Sequence, residues 1–181
     1  MIMAVVPIVK IPDEILNRKS EKVGKFDDET KKLINNLLDT LQAAKNPEGA
    51  GLAAPQVGIL KRVCIARKFL PNPNNPNKPL IQDVVLVNPK IISSSKESEP
   101  GWEGCLSIPD AYGKVQRSKK VKVKALNEEG EEVRISASGF FARVIQHEID
   151  HLEGILFTSK VMGNTITEKE LDKILEKEKN S

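Results

Sequence analysis

Histidine is almost absent from this chain: His147 and His151 are the only two in 181 residues. Any imidazole chemistry must use that pair. Cysteine is as scarce, with Cys64 and Cys105 alone, which is too few for a disulfide framework. A bridge between them is not expected, because nothing marks an exported protein. Aromatic residues are 4%, so the core should be aliphatic. No apolar run approaches the ~20 residues needed to span a bilayer. Met1–Lys10 is mildly apolar but lacks a basic n-region and a small-residue cleavage site, so it does not read as a signal peptide. Net charge is only +3, from 28 basic and 25 acidic residues. That balance is too even for nucleic acid to be the main ligand. The expectations are a cytoplasmic protein with no membrane contact and no specific DNA target. A length of 181 residues suits one domain, residues 1–181, with a full-sized core.

Both histidines fall in Gln146-His147-Glu148-Ile149-Asp150-His151. On a helix, residues i and i+4 share a face, so two imidazoles can reach one metal ion. Glu148, beside them, can take a proton from water. This is the His-Glu-x-x-His arrangement of metal-dependent hydrolases. It also arises by accident on ordinary helices, but the surroundings argue otherwise. Phe140, Phe141, Val144, Ile145, Ile149 and Leu152 cover most of the helix circumference at 3.6 residues per turn. A helix apolar nearly all round is buried. Buried imidazoles and carboxylates are costly unless paired or metal-bound. Ser138 is the expected cap of this helix and Gly154 its stop.

Elsewhere the pattern is coarser. Pro12–Arg18 reads as a short helix or turn. Asp27 reads as the N-cap of a helix running to about Ala44, with Leu33, Ile34, Leu37, Leu38 and Leu41 at core spacing. Asn46-Pro47-Glu48-Gly49 ends it. Short strands are expected at about Val63–Ala66 and Val84–Val87, joined by the Pro/Asn-rich surface loop Leu70–Pro79. Lys120–Leu126 and Val133–Ala137 alternate apolar with polar residues about a hairpin turn at Asn127–Gly130. The exposed lysines there read as solubility and edge protection. A last helix begins at Thr167, with a Thr167/Glu170 capping box and an Ile166–Leu171 staple. Its apolar stripe is thin: Leu171, Ile174 and Leu175.

Two histidines leave a catalytic metal one protein ligand short of the usual three. The third must be Cys, Asp or Glu. Cys105, in Glu103-Gly104-Cys105-Leu106-Ser107, is favoured because a thiolate binds zinc or ferrous iron strongly. Glu153 competes, but two residues past His151 it points off the histidine face. Cys64 lies in a strand pattern and reads as a small buried hydrophobe.

Three segments, Gly49–Gln56, Glu103–Ser107 and Gln146–Gly154, resemble the three signature motifs of the peptide deformylases. Pro12–Leu16 and Val87-Asn88-Pro89 are also similar, so the likeness runs over nearly the whole chain. The resemblance implies an α+β fold, with antiparallel strands around a central His-Glu-x-x-His helix and a C-terminal helix. It implies removal of the N-formyl group from the formyl-methionine of new polypeptides, releasing formate. By motif, the metal ligands are Cys105, His147 and His151, for one divalent ion: typically Fe2+, with Zn2+ and Ni2+ also accommodated. Glu148 is the proton carrier, and the Gln56 side chain and the Leu106 backbone N–H are the oxyanion donors. Gly49 and Gly51 lie along the peptide backbone. Phe140 and Val144 line the methionine pocket beside His147. Glu103 lines the substrate pocket or supports a ligand from behind, and Gln146 and Asp150 are supports. Two residues depart from the pattern: Arg143, where some members have an aliphatic residue, and Tyr112, where many have an arginine that helps hold the peptide.

Two other readings compete. A His-Glu-x-x-His peptidase usually takes its third ligand downstream, where no histidine remains. A structural metal staple needs a fourth ligand and leaves Gln56 and Glu148 unexplained. The resemblance also implies a ribosome contact, since some deformylases use a basic C-terminal helix for it; Lys169, Lys173, Lys177 and Lys179 suit that, but five acidic residues between Glu168 and Glu178 weaken it against the plainer reading of a solvated terminal helix.

Overall fold

A computed structural model describes residues 4–45 and 47–179. Asn46, in the segment expected to end the first helix, lies outside the described residues. The elements are α1 (Asp28–Ala43), β1 (Gly51–Ala53), β2 (Val63–Leu70), β3 (Leu80–Ser94), β4 (Ser98–Cys105), β5 (Ile108–Ser118), β6 (Lys120–Leu126), β7 (Glu132–Ser138), α2 (Gly139–Leu152) and α3 (Glu168–Lys179). Short 3-10 turns sit at Glu14–Asn17, Ala54–Val57 and Phe157–Lys160. All strand pairings are antiparallel, in a five-stranded sheet ordered β1-β2-β3-β6-β7 and a separate β4-β5 hairpin.

Helices cover both faces of the large sheet. On β2, Cys64 and Ala66 pack in the layer that holds Phe141, Ala142, Val144 and Ile145 of α2. Val63 and Ile65 pack in the other layer, with Leu33, Ile34, Leu37 and Leu41 of α1. That division follows from the two-residue period of a strand. It also explains why Val63-Cys64-Ile65-Ala66 is an unbroken apolar run. Fully burying a leucine such as Leu37 contributes about 1.5–3 kcal/mol. On β6, only Val121, Val123 and Ala125 are buried, and the lysines between them stay wet, as alternation predicts.

Asp27 caps α1 as expected, its Oδ1 accepting from Thr30 N at 3.0 Å. Ser138 precedes α2, but its side chain makes no capping bond. The start of α2 is instead tied by Gly139 N donating to Lys119 O at 3.0 Å. Gly154 does end the helix segment: its φ is +73°, and a Cβ there would meet Asn17 O at 2.6 Å. Only glycine suits both constraints. The β6–β7 turn forms as read, with Asn127 Oδ1 accepting from Glu129 N and Glu131 N.

Several strands exceed the sequence reading, β2 among them, which runs past Ala66 to Leu70. β3 runs to fifteen residues because its bulges near Asn88 and Ile92 let it follow both β2 and β6. Gly51–Ala53 is an edge strand rather than a loop. The β4-β5 hairpin has no counterpart among the expected elements, although it carries Cys105. α2 packs its apolar residues Phe141, Ala142, Val144, Ile145 and Leu152 on the large sheet and turns the polar Arg143, Gln146 and His147 to the hairpin, so its apolar circumference is not used all round.

Candidate metal centre and active site

Three segments converge on one cavity of about 680 Å³. β4 ends in Glu103 and Cys105, and the tight turn into β5 carries Leu106 and Ser107. α2 presents His147, Glu148 and His151. β1 and the following turn bring Gly51 and Gln56. Of the candidate residues, Gly49, Gly51, Gln56, Glu103, Cys105, Leu106, Phe140, Val144, His147 and Glu148 all line the cavity. His151 lies beneath it, 1% exposed.

The ligating atoms of Cys105, His147 and His151 lie within 4.8 Å of one another. No other such cluster occurs among the described residues. Cys105 Sγ is 3.3 Å from His151 Nε2. A thiolate and an imidazole on one tetrahedral ion would be about 3.6 Å apart at ordinary bond lengths, so the donor set fits a divalent metal. His147 Nδ1 donates to Glu103 Oε2 at 3.0 Å, which leaves Nε2 for the cluster. Burial pushes the His147 pKa down, but hydrogen bonds with Cys105 and Glu103 outweigh it and raise it to about 10. Burial, then the His147 charge, hold His151 well below the usual imidazole range.

Behind His147 stands a buried ion network. Arg117 donates to Glu103 from Nε and Nη2, both at 2.9 Å, and Arg143 Nη1 adds a third bond at 2.9 Å. Burial alone would raise the Glu103 pKa, but Arg117 and His147 bring it down to about 2. Arg117 also donates to Asp150, which accepts from Lys160 at 2.7 Å. Asp150 thus reaches the ligand through two residues. Gln146 does not touch the cluster: it clips α2 to β5, accepting from Ser118 N at 3.1 Å and donating to Ser118 O at 2.9 Å. Sequence reasoning passed over Arg117 and Ser107. An arginine on the inward face of β5, in register with buried Val115, was the available signal.

Glu148 is 3% exposed, and its Oε2 has no protein partner among the described residues. Burial raises its pKa to about 7. Gly51 is what admits it: a Cβ there would stand 2.3 Å from Glu148 Oε1. Gln56 accepts from Ala53 N at 2.9 Å and donates to Ser107 Oγ at 3.1 Å and Cys105 Sγ at 3.4 Å. Its orientation is therefore fixed, with the amide N–H groups at the cavity side. Phe140, by contrast, is 54% exposed and stands at the rim. Arg143 is buried, and Tyr112 lines the cavity with its ring over Gly104. Glu153 points away and pairs with Arg62 and Lys19. Cys64 is fully buried in the core and outside the cluster.

Residues 5–166 match the family model described as polypeptide deformylase. "Peptide deformylase 2" of Clostridium acetobutylicum is 47% identical over 150 residues, covering 82% of this chain and 90% of that one. "Peptide deformylase 1" of Bacillus subtilis is 43% identical over 173 residues, covering 93% and 97%. Among solved structures, the Met-Ala-Ser-bound class I type b peptide deformylase of Acinetobacter baumannii superposes with a TM-score of 0.78 at 41% identity, over 88% of this chain and 100% of that one. The actinonin complex of the Synechococcus elongatus enzyme gives 0.77 at 36% identity, over 98% and 87%. The chain belongs to the peptide deformylase family, the hydrolases that remove the N-formyl group from newly made polypeptides.

Proposed function

We propose that deformylation is carried out by Glu148, Gln56 and Leu106 around one divalent ion held by Cys105, His147 and His151. The observation that carries this reading is the convergence of a thiol and two imidazoles within 4.8 Å, beside the buried carboxylate of Glu148. When bound, the ion supplies a Lewis acid that makes water acidic and polarises the formyl carbonyl. Fe2+ is the reading here, with Zn2+ and Ni2+ as alternatives, because thiolate and imidazole donors suit these ions. A ferrous site with a thiolate ligand is expected to lose activity in air.

Glu148 takes the proton of the attacking water and delivers it to the leaving amine nitrogen, freeing formate and the methionine amino group. Its burial supports this role, since a carboxylate with a pKa near 7 can both accept and give up a proton. Gln56 Nε2–H and Leu106 N–H donate to the formyl oxygen as negative charge develops. Gly49 and Gly51 leave the peptide room to lie extended along β1. Val144 walls the methionine pocket, Phe140 closes its rim, and Glu103 orients His147.

The protein acts as a single domain, residues 1–181, on nascent chains in the cytoplasm. No specific DNA is among its partners; the C-terminal helix carries Lys169, Lys173, Lys177 and Lys179 beside five acidic residues, so a solvated terminal helix is the plainer reading and a ribosome contact the alternative. Anaerobic purification, metal analysis and formate release from formyl-Met-Ala-Ser test the central assignment. A folded protein that carries one ion per chain but releases no formate contradicts it.

A further inference from the structure

The net charge of +3 is small, but it is unevenly placed. On β6, Val121, Val123 and Ala125 pack in the α2 layer, so the lysines between them project from the opposite face of the sheet. Lys90 of β3, Lys124 of β6 and Arg134 of β7 lie directly opposite one another across three strands. Opposed residues share a face. Further along β6, Lys122 stands between Ser93 and Ser136, and Lys120 is opposite Ser138. All eight side chains are exposed. Among the described residues, Lys124 alone of the five cations forms an ion pair, with Glu132 at 2.6 Å. Glu128, Glu129 and Glu131 sit in the β6–β7 turn, past Lys124 and away from Lys120 and Lys122. Neither edge protection nor solubility accounts for this face. Lysines guard sheet edges, but β6 lies between β3 and β7. Solubility is served by charges of both signs interspersed, and like charges directly opposite one another destabilise a sheet.

We propose that this face of β3, β6 and β7 docks the phosphate backbone of folded RNA. An outside polyanion supplies the counter-charge that the sheet itself lacks. Lys120, Lys122 and Lys124 recur every ~6.6–6.8 Å along the strand, so successive phosphates of one backbone can meet successive ammonium groups. A groove of about 440 Å³ between Ser93, Ser95, Lys120, Lys122, Ser136 and Ser138 sets hydroxyls beside those cations. Hydroxyls of this kind bond phosphate oxygens and the ribose 2′-hydroxyl. The three strands hold no aromatic residue, so they offer no platform on which unpaired bases could stack. Paired RNA, recognised by its shape and backbone, is the form that fits. Because α2 and its histidines lie on the other side of the sheet, docking leaves the cavity open to peptide.

The test titrates the metal-loaded full chain into a fluorescently labelled RNA duplex of about 16 base pairs, a length that offers successive grooves. Anisotropy is read across salt. With the four unpaired cations engaged, affinity should fall about 100-fold between about 50 and 200 mM salt. The double variant Lys120→Gln/Lys122→Gln should lower the salt slope by about 2 and weaken binding at low salt by at least about tenfold. Lys120→Arg/Lys122→Arg should retain binding. Lys169→Gln/Lys173→Gln on α3, where acids alternate with the lysines, should leave it near wild type. Turnover of formyl-Met-Ala-Ser should stay unchanged in every variant and in the presence of RNA, which also confirms that the variants fold. Unaltered RNA affinity in Lys120→Gln/Lys122→Gln overturns the proposal, as does a loss confined to the α3 pair. Equal affinity for a DNA duplex of the same sequence overturns the RNA assignment. So does binding to phosphatidylglycerol vesicles without binding to RNA.

Discussion

Glu103 Oε2 accepts from His147 Nδ1 at 3.0 Å, and that bond fixes which ring nitrogen faces the metal cluster. An ionised carboxylate can only accept, so Nδ1 carries the proton and Nε2 presents its lone pair. Burial alone would raise the Glu103 pKa, but Arg117 and His147 hold it ionised down to about 2, and Arg143 adds a further bond at 2.9 Å.

Glu103→Gln should weaken metal binding about 10–100-fold, the usual cost of losing a group that orients a ligand. It should also destabilise the fold by about 3–5 kcal/mol, because two buried guanidinium groups lose a shared counter-charge. The pH dependence has a definite sign. A carboxylate whose folded pKa is depressed contributes stability above its ordinary value near 4.5, and that contribution is lost as pH falls towards about 2. Urea midpoints between pH 7 and pH 3 check this: the wild type should converge on the variant at the acid end.

Glu148→Gln should keep its metal and lose about 10²–10⁴-fold in turnover. Replacing a buried carboxylate whose Oε2 has no partner among the described residues should not lower stability. Metal content, melting temperature and formate release on one preparation decide it. Near-normal turnover with metal bound would remove Glu148 from the chemistry.

Cys105→Ser and Cys64→Ser should separate cleanly. The first should lose metal while the fold persists, because Cys105 stands at the cavity. The second should keep metal but lose about 1–3 kcal/mol of stability, since it buries a hydroxyl in an apolar layer. Equal metal loss in both variants points to a two-cysteine site instead.

Gln56→Leu should lower kcat by about 10²–10³-fold if the amide is an oxyanion donor. From sequence alone this residue reads as dispensable for the fold. The bond from Ala53 N changes that expectation, because leucine leaves a buried N–H unpaired at a cost of about 1–3 kcal/mol. Full activity in the folded fraction, with only the stability loss, would make Gln56 structural.

Truncation after Gly163 reads from sequence as harmless to peptide turnover. The structure argues for a later cut. Ile166 pairs with Tyr112 through two backbone bonds, at 2.9 and 2.8 Å, and Tyr112 lines the cavity. Ending the chain at Gly163 should raise KM several-fold. Ending it at Thr167 should leave tripeptide turnover near wild type, despite the loss of buried Leu171. If α3 is the ribosome contact, the longer truncation product should still co-sediment less with ribosomes at low salt.

Local pattern was enough wherever one element fixed the outcome by itself. The spacing of His147 and His151 put both on one helix face. The Asp27 cap, the Thr167/Glu170 box and the Lys/Val alternation of Lys120–Leu126 each specify geometry within a few residues. Cys105 reads as a candidate ligand from its chemistry and motif, and it stands with His147 and His151. The hairpin that delivers it was not, because Ser98–Ser118 holds Gly101, Gly104, Gly113, Pro100 and Pro109 and lacks a clean two-residue period. Only the assembled fold decided that Arg117 and Arg143 meet on Glu103, that Gly51 yields its side-chain space to Glu148, and that Phe69 comes beside Phe140. Each of those contacts joins residues at least 14 positions apart on different elements. Sequence spacing sets periodicity within an element; long-range packing and charge pairing set what that element meets.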